Sequence, residues 1–176
     1  MVTQTRMTLE EFLALPGIDE QRLELIDGEV YEKMSPRWGH GEIAGELYHH
    51  LRPFGRSAVE PRAIISGSGD RRDSAPLPDL AFYRSQPPAR FDWMRRPPEM
   101  VAEILSPGQT RISMRAKVDL YQSFGVLCIL VFDPERELVD RYEGGELSTL
   151  TLEDTLTLSV APGFAVTVRD LFYRPD

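Results

Sequence analysis

Glu103 sits inside the run MVAEIL and Asp79 opens the run DLAFY, two short segments otherwise apolar enough to be buried strands. An unpaired carboxylate is costly to bury, so each of these acids needs a partner. Two acids on neighbouring buried strands would also repel each other unless a cation lay between them. Mg²⁺ suits that position, because it prefers oxygen ligands, keeps several waters and is commonly held by one or two carboxylates. The alternative is that each acid caps a strand end or pairs with an arginine and does no chemistry.

Other chemically suggestive residues carry less. His49 and His50 follow Glu46 at helical spacing, but the chain has no HExxH motif, so they read as a solvated helix face. The GSG at 67–69 lacks the Gly-Lys-Ser/Thr of a phosphate loop and reads as a flexible turn. Ser106-Pro107 is read as a helix cap rather than a nucleophile, since no histidine is placed by sequence to activate the serine.

The elements that must position Asp79 and Glu103 follow from pattern and turn chemistry. Thr8 and Glu11 have capping-box spacing ahead of a short helix at about 9–14, which Pro16-Gly17 stops. RLELIDGEVYEKM reads as a hairpin turning at Asp27-Gly28. Ile43, Leu47 and Leu51 recur at helical spacing over about 40–52. SAVEPRAIIS, PDLAFY, MVAEIL and VLCILVF read as strands, and LVDRYEGGELSTLTL as a second hairpin around Gly144-Gly145. TRISMRAKVDLYQSFG is helical by length and pattern from near Thr110, with Gly125 placed to end it. LTLSV and FAVTV add strand-like pieces, and RDLF a last helical turn. This order predicts an α/β fold, a mixed sheet flanked by helices.

Composition bounds the setting. At 176 residues, with 41% hydrophobic and 27% charged residues, the chain has globular values and the length of one domain, expected to span residues 1–176. Its only cysteine, Cys128, excludes an intramolecular disulfide and a four-thiolate zinc site, and its apolar surroundings predict a core thiol. The N-terminus lacks a signal peptide's apolar stretch and no segment has the length of a membrane span, which places the protein in the cytoplasm with no membrane partner. The net charge of −8 argues against a nucleic-acid partner, but the charge is unevenly spread. Residues 84–117 carry seven bases and three acids, whereas both ends of the chain are acidic. That basic middle is either a solvated face or a surface for phosphates.

LELIDGEV, PLPDLAFY, VAEILSPGQT, the lysine and tyrosine of KVDLY, GVLCILVFDP and PGFAVTVRDLF occur in an order that resembles the Uma-type family, restriction-endonuclease-like proteins of the PD-(D/E)xK nuclease superfamily. The resemblance spans almost the whole chain. It implies a restriction-endonuclease-like fold with an N-terminal β-hairpin, and a metal-dependent hydrolase cutting phosphodiester bonds in DNA. Asp79 then matches the metal-binding aspartate and Glu103 the second metal-binding acid. Leu105 stands where the usual motif has its lysine; the family takes that lysine from the following helix, where Lys117 matches it. Glu24 in LELIDG matches a recurrent acid that faces the site. His40 lies near a family histidine position, as a helix-start residue or a group behind the metal-binding acids.

On this reading one or two Mg²⁺ or Mn²⁺ ions activate water and neutralise charge on the scissile phosphate, and Lys117 orients that water or stabilises the transition state. Arg111 and Arg115, in the basic segment, are expected to touch the nucleic-acid backbone. A homodimer would address both strands of a duplex. The chain departs from the family at Ile129-Leu130, in place of an aromatic pair, and at Ser113, in place of an acid. The first substitution repacks the core. The second favours the rival reading, a nucleic-acid-binding or regulatory homodimer that keeps the fold without cutting.

Overall fold

The structure is a computed structural model describing residues 6–18, 20–34, 37–90, 92–109 and 113–172. Helix α1 (Leu9–Leu13) starts at a complete capping box: Glu11 N donates to Thr8 Oγ1 at 3.2 Å and Thr8 N donates to Glu11 Oε2 at 2.8 Å. Strands β1 (Leu23–Ile26) and β2 (Glu29–Glu32) form the N-terminal hairpin. Asp27 and Gly28 both take positive φ (50° and 80°), as a tight hairpin turn of this type requires. The hairpin is a separate two-stranded sheet, attached by an isolated bridge from Leu25 to Ala75 and by packing of Leu25 with Phe12, Ile18 and Ile64.

Helix α2 (Trp38–Leu51) precedes the six-stranded main sheet, made of β3 (Arg56–Val59), β4 (Leu80–Tyr83), β5 (Met100–Ile104), β6 (Cys128–Asp133), β7 (Leu138–Glu143) and β8 (Glu146–Leu150) in that spatial order. Every neighbouring pair is antiparallel except β5 and β6, which are parallel and joined through helix α3 (Arg115–Phe124). A small antiparallel pair, β9 (Thr155–Thr157) and β10 (Ala165–Thr167), and helix α4 (Val168–Leu171) complete the chain.

Both faces of the main sheet are covered, which is why β4, β5 and β6 are buried along their whole length. On one face Leu80, Phe82, Ala102, Ile104, Leu130 and Phe132 pack under Ile43, Leu47 and Leu51 of α2. On the other Ala81, Val101, Leu105, Ile129 and Val131 pack under Val118 and Tyr121 of α3. Ile129 and Leu130, the departure from an aromatic pair, are fully buried on opposite faces. Cys128 is buried, and burial pushes its thiol well above the ordinary range.

Some expectations are corrected. The expected strand SAVEPRAIIS is ordered only over β3, because Glu60 turns into the left-handed region (φ 49°) ahead of Pro61; Ala63 and Ile65 make isolated bridges. The helix expected from near Thr110 begins at Arg115, so Lys117 lies in its first turn and not about two turns in. Met114, buried between Leu105 and Val118 in the cluster beneath the helix, anchors its start. Among the described residues Ser106 caps no helix: it closes a turn, its N–H donating to Gln109 Oε1 at 2.9 Å and its carbonyl accepting from Gln109 N at 2.9 Å. As expected, Gly125 ends α3 at φ 101°.

Because β6 is central and covered on both sides, truncating Leu130, which is 0% exposed, leaves a cavity that neighbours cannot fill. Leu130→Ala is expected to cost about 2–5 kcal/mol, measured by chemical denaturation.

Candidate active site

Antiparallel pairing sets Leu80 against Ala102, and Asp79 and Glu103 are the next residues along the two strands. Alternation turns Glu103 to the α3 face with Val101 and Leu105, and Asp79 to the same face with Ala81 and Tyr83. Both acids are buried (1% and 2% exposed). Asp79 Oδ2 accepts from Ile104 N at 2.6 Å, tying the aspartate to the strand that carries the glutamate.

The charges around them alternate. Lys33, just past β2, places Nζ 2.6 Å from Asp79 Oδ1 and 3.9 Å from Glu103 Oε2, and donates to Leu77 O at 2.5 Å. Lys117 places Nζ 2.7 Å from Glu103 Oε1 and 2.8 Å from Glu24 Oε1. Glu24, buried in β1, also accepts from Leu77 N at 2.7 Å. Tyr121, one turn beyond Lys117 on α3, donates its hydroxyl to Glu103 Oε1 at 2.6 Å. His40, in the first turn of α2, sets Nε2 2.9 Å from Asp79 Oδ1. The result is a row of five charged side chains, Asp79, Lys33, Glu103, Lys117 and Glu24, with His40 and Tyr121 behind the two acids.

Asp79, Glu103, Lys117, Glu24 and His40 thus come together. Arg115 lies exposed in the first turn of α3, 3.2 Å from Asp119, and Asp119 is therefore engaged by Arg115 rather than by Lys117. Arg111 lies outside the described residues. His49 is exposed on α2 and His50 sits 4.0 Å from Glu46, both remote from these acids in the helix's last turn.

The sequence pattern assigns no site role to two members, Lys33 and Tyr121. A signal for Lys33 does exist: the chain has eighteen arginines and only two lysines, Lys33 and Lys117, and both reach this cluster. Where arginine serves every other cationic position, a lysine marks a place for a compact ammonium that can sit between carboxylates. Tyr121 gave only its place in KVDLY.

The electrostatics follow from burial and contacts. Burial works to raise the Asp79 carboxyl, but His40 and Lys33 together outweigh it and bring the pKa down to about 2. Glu103 goes the other way: burial raises its pKa, against the opposing charges of Lys117 and Lys33. Burial alone would lower Lys117, but Glu103 and Glu24 reverse this and hold it protonated. Tyr121 is raised well above its ordinary value, first by burial and then by Glu103, so it remains a hydroxyl donor.

Glu24, Lys33, Glu103 and Lys117 line a cleft of about 390 Å³ between the hairpin (Ile26, Tyr31, Glu32) and the start of α3 (Ser113, Met114, Ala116), with Asp79 buried behind Lys33. A groove of about 430 Å³ along β3, lined by Arg56, Tyr83, Arg90 and Trp93, holds no such pair of acids. Among the described residues no three His, Cys, Asp or Glu side chains gather as a ready cage. The donor set that could take a hard divalent cation is therefore Asp79 Oδ1 with Glu103 Oε2, completed by water. Asp79 Oδ1 fits that role, because it is buried and already draws two positively charged or donor groups to itself, Lys33 Nζ at 2.6 Å and His40 Nε2 at 2.9 Å.

A depressed carboxylate pKa stabilises the fold above the ordinary value, and that stability is lost as pH falls through the folded value. For Asp79 the window runs from 3.8 down to about 2. Wild type is expected to lose stability across it relative to Asp79→Asn. Denaturation curves for the two proteins that stay parallel through the window would show that Asp79 is not held ionised by these partners.

The chain is similar to known proteins at two levels. Among solved structures it resembles the crystal structure of "a putative nuclease belonging to DUF820" from Anabaena variabilis ATCC 29413, with a TM-score of 0.79, 24% identity and coverage of 94% of this chain and 97% of that one. This likeness shows the shared fold. No curated protein matches. Residues 9–169 match the family model described as "Uma2: Putative restriction endonuclease". The chain, with its restriction-endonuclease-like sheet and N-terminal hairpin, belongs to that Uma2 family.

Proposed function

We propose that this protein is an endonuclease that hydrolyses phosphodiester bonds in DNA with Mg²⁺ or Mn²⁺, using Asp79, Glu103 and Lys117. The observation that carries the reading is the row of alternating carboxylates and ammoniums, four of whose five members line an open cleft. Buried charges in this number are a poor device for stability, since desolvation offsets much of their attraction. They are the expected furniture of a site that handles a charged substrate.

Asp79 and Glu103 would hold the cation, which supplies an activated water and neutralises charge on the phosphate. Tyr121 and Lys117 both engage Glu103 Oε1, which fixes the carboxylate's rotation and leaves Oε2 turned towards Asp79's partner Lys33. Glu24 holds the Lys117 ammonium from the hairpin side, and the lysine lines the cleft. From there Lys117 is placed to orient water or meet negative charge developing on the phosphate. Leu105 is buried in the apolar cluster beneath α3, so a strand lysine at that position has been traded for packing.

A second reading, a non-cleaving nucleic-acid-binding or regulatory homodimer, is favoured by the cleft lining. Glu24, Glu32 and Glu103 face Lys33 and Lys117, and no arginine is among the described lining residues. Ser113, at the cleft mouth, replaces a family acid. In either reading we take the chain as one domain working in the cytoplasm; no described helix is long and apolar enough to cross a membrane.

Millimolar Mn²⁺ or Mg²⁺ is expected to raise the melting temperature, because a ligand that binds only the folded state stabilises it, and Asp79→Asn with Glu103→Gln should abolish the rise. Lys117→Ala should keep a metal-induced rise but lose about 10²–10³ in cleavage rate. Plasmid and single-stranded DNA are the substrates to assay, and cleavage unchanged in Lys117→Ala would remove the lysine from the mechanism. A homodimer is proposed on the need to address two strands; light scattering that gives a monomer with and without DNA would remove it.

A further inference from the structure

Lys33 stands in contact with the same two carboxylates that the proposed function assigns to the divalent ion. Its Nζ is 2.6 Å from Asp79 Oδ1 and 3.9 Å from Glu103 Oε2. Its side chain is only 10% exposed, so this ammonium has exchanged water for carboxylates and for the Leu77 carbonyl. Without it, the three buried acids Glu24, Asp79 and Glu103 would have Lys117 as their one ammonium, and Asp79 would keep only His40 and the Ile104 N–H.

We propose that Lys33 is a resident counter-cation: it holds Asp79 and Glu103 when no metal is bound, competes with the divalent ion for them, and moves into the cleft when the ion takes its place. The inference rests on the function proposed above. A hard cation bound to Asp79 would lie about 2.0–2.1 Å from Oδ1, inside the space that the ammonium now fills, and the two positive charges would repel. Lys33 can leave. It lies one residue beyond the end of β2 on a flexible four-carbon stem, and it already lines the cleft. Lys117, by contrast, is set in the first turn of α3 and held by acids on two sides. In the cleft, the freed Lys33 ammonium would face the site of a phosphodiester, supplying positive charge where the described lining has no arginine.

With only two lysines in the chain, amine-reactive labelling followed by peptide mass spectrometry reads the two side chains separately. The intact protein is treated with acetic anhydride with and without Mn²⁺, whose binding is followed by calorimetry. Acetylation of Lys33 should speed up about tenfold or more at saturating Mn²⁺ while Lys117 stays slow, which is the rise expected when an ammonium free for about a tenth of the time is fully released. Lys33→Met should bind Mn²⁺ about tenfold more tightly by removing the same competition. Bound Mn²⁺ with no change in Lys33 labelling overturns the inference and leaves the metal site standing. Should wild type bind no Mn²⁺ while Lys33→Met does, competition is supported in its extreme form. Binding by neither protein sinks the proposed metal chemistry and the inference together. The labelling of wild type decides if Lys33→Met does not fold.

Discussion

Three carboxylates cannot be buried side by side without cations between them, and the rest of this structure is arranged around that constraint. Glu24, Asp79 and Glu103 are each less than a tenth exposed, and the two ammoniums are interleaved among them. The row is held as a unit. Removing one partner from a buried ion pair leaves an uncompensated charge, at a typical cost of about 3–5 kcal/mol. Every element that brings a member of the row must therefore dock correctly for the others to be tolerated.

Those elements are distant in the chain. The main sheet supplies Asp79 and Glu103 from adjoining strand ends, both buried, with Glu103 lining the cleft. The hairpin supplies Glu24 and Lys33 although it is not part of that sheet, and the segment at Ala75–Leu77 joins them. Ala75 bridges to Leu25, Leu77 N donates to Glu24, and Leu77 O receives Lys33. The crossover helix α3 supplies Lys117 and Tyr121 from one face, four residues apart, so that one helix surface both charges and positions Glu103. The first turn of α2 adds His40 at Asp79.

The two acids respond to their surroundings in opposite directions. Asp79 keeps a strongly depressed pKa because His40 and Lys33 converge on one of its oxygens. Burial raises the Glu103 pKa, Asp79 and Glu24 nearby add to that rise, and the two ammoniums oppose it without reversing it. Paired acids driven apart in this way are a frequent mark of functional sites. Here the open cleft that Glu103 lines and the membership of the Uma2 family give the functional reading its weight.

Local chemistry was legible in the sequence. Asp27-Gly28 set a hairpin turn, Thr8 and Glu11 a capping box, Gly125 a helix end, and the apolar runs around Asp79 and Glu103 two buried strands. These depend on neighbours within a few residues, so their spacing alone determined them. The cost of burying a carboxylate made Asp79 and Glu103 conspicuous, and the ordered family motifs pointed to Lys117, Glu24 and His40. The start of α3 was not legible, because helix propensity runs on upstream of Arg115 and the packing of Met114 decides where the helix begins. Nor could sequence pair the charges. Lys117 meets Glu24 across 93 residues, while its helical neighbour Asp119 is taken by Arg115. Which ammonium neutralises which carboxylate, and that Lys33 joins them at all, was decided only when hairpin, sheet and helix packed together, since charge pairing is set by distance in space and not along the chain.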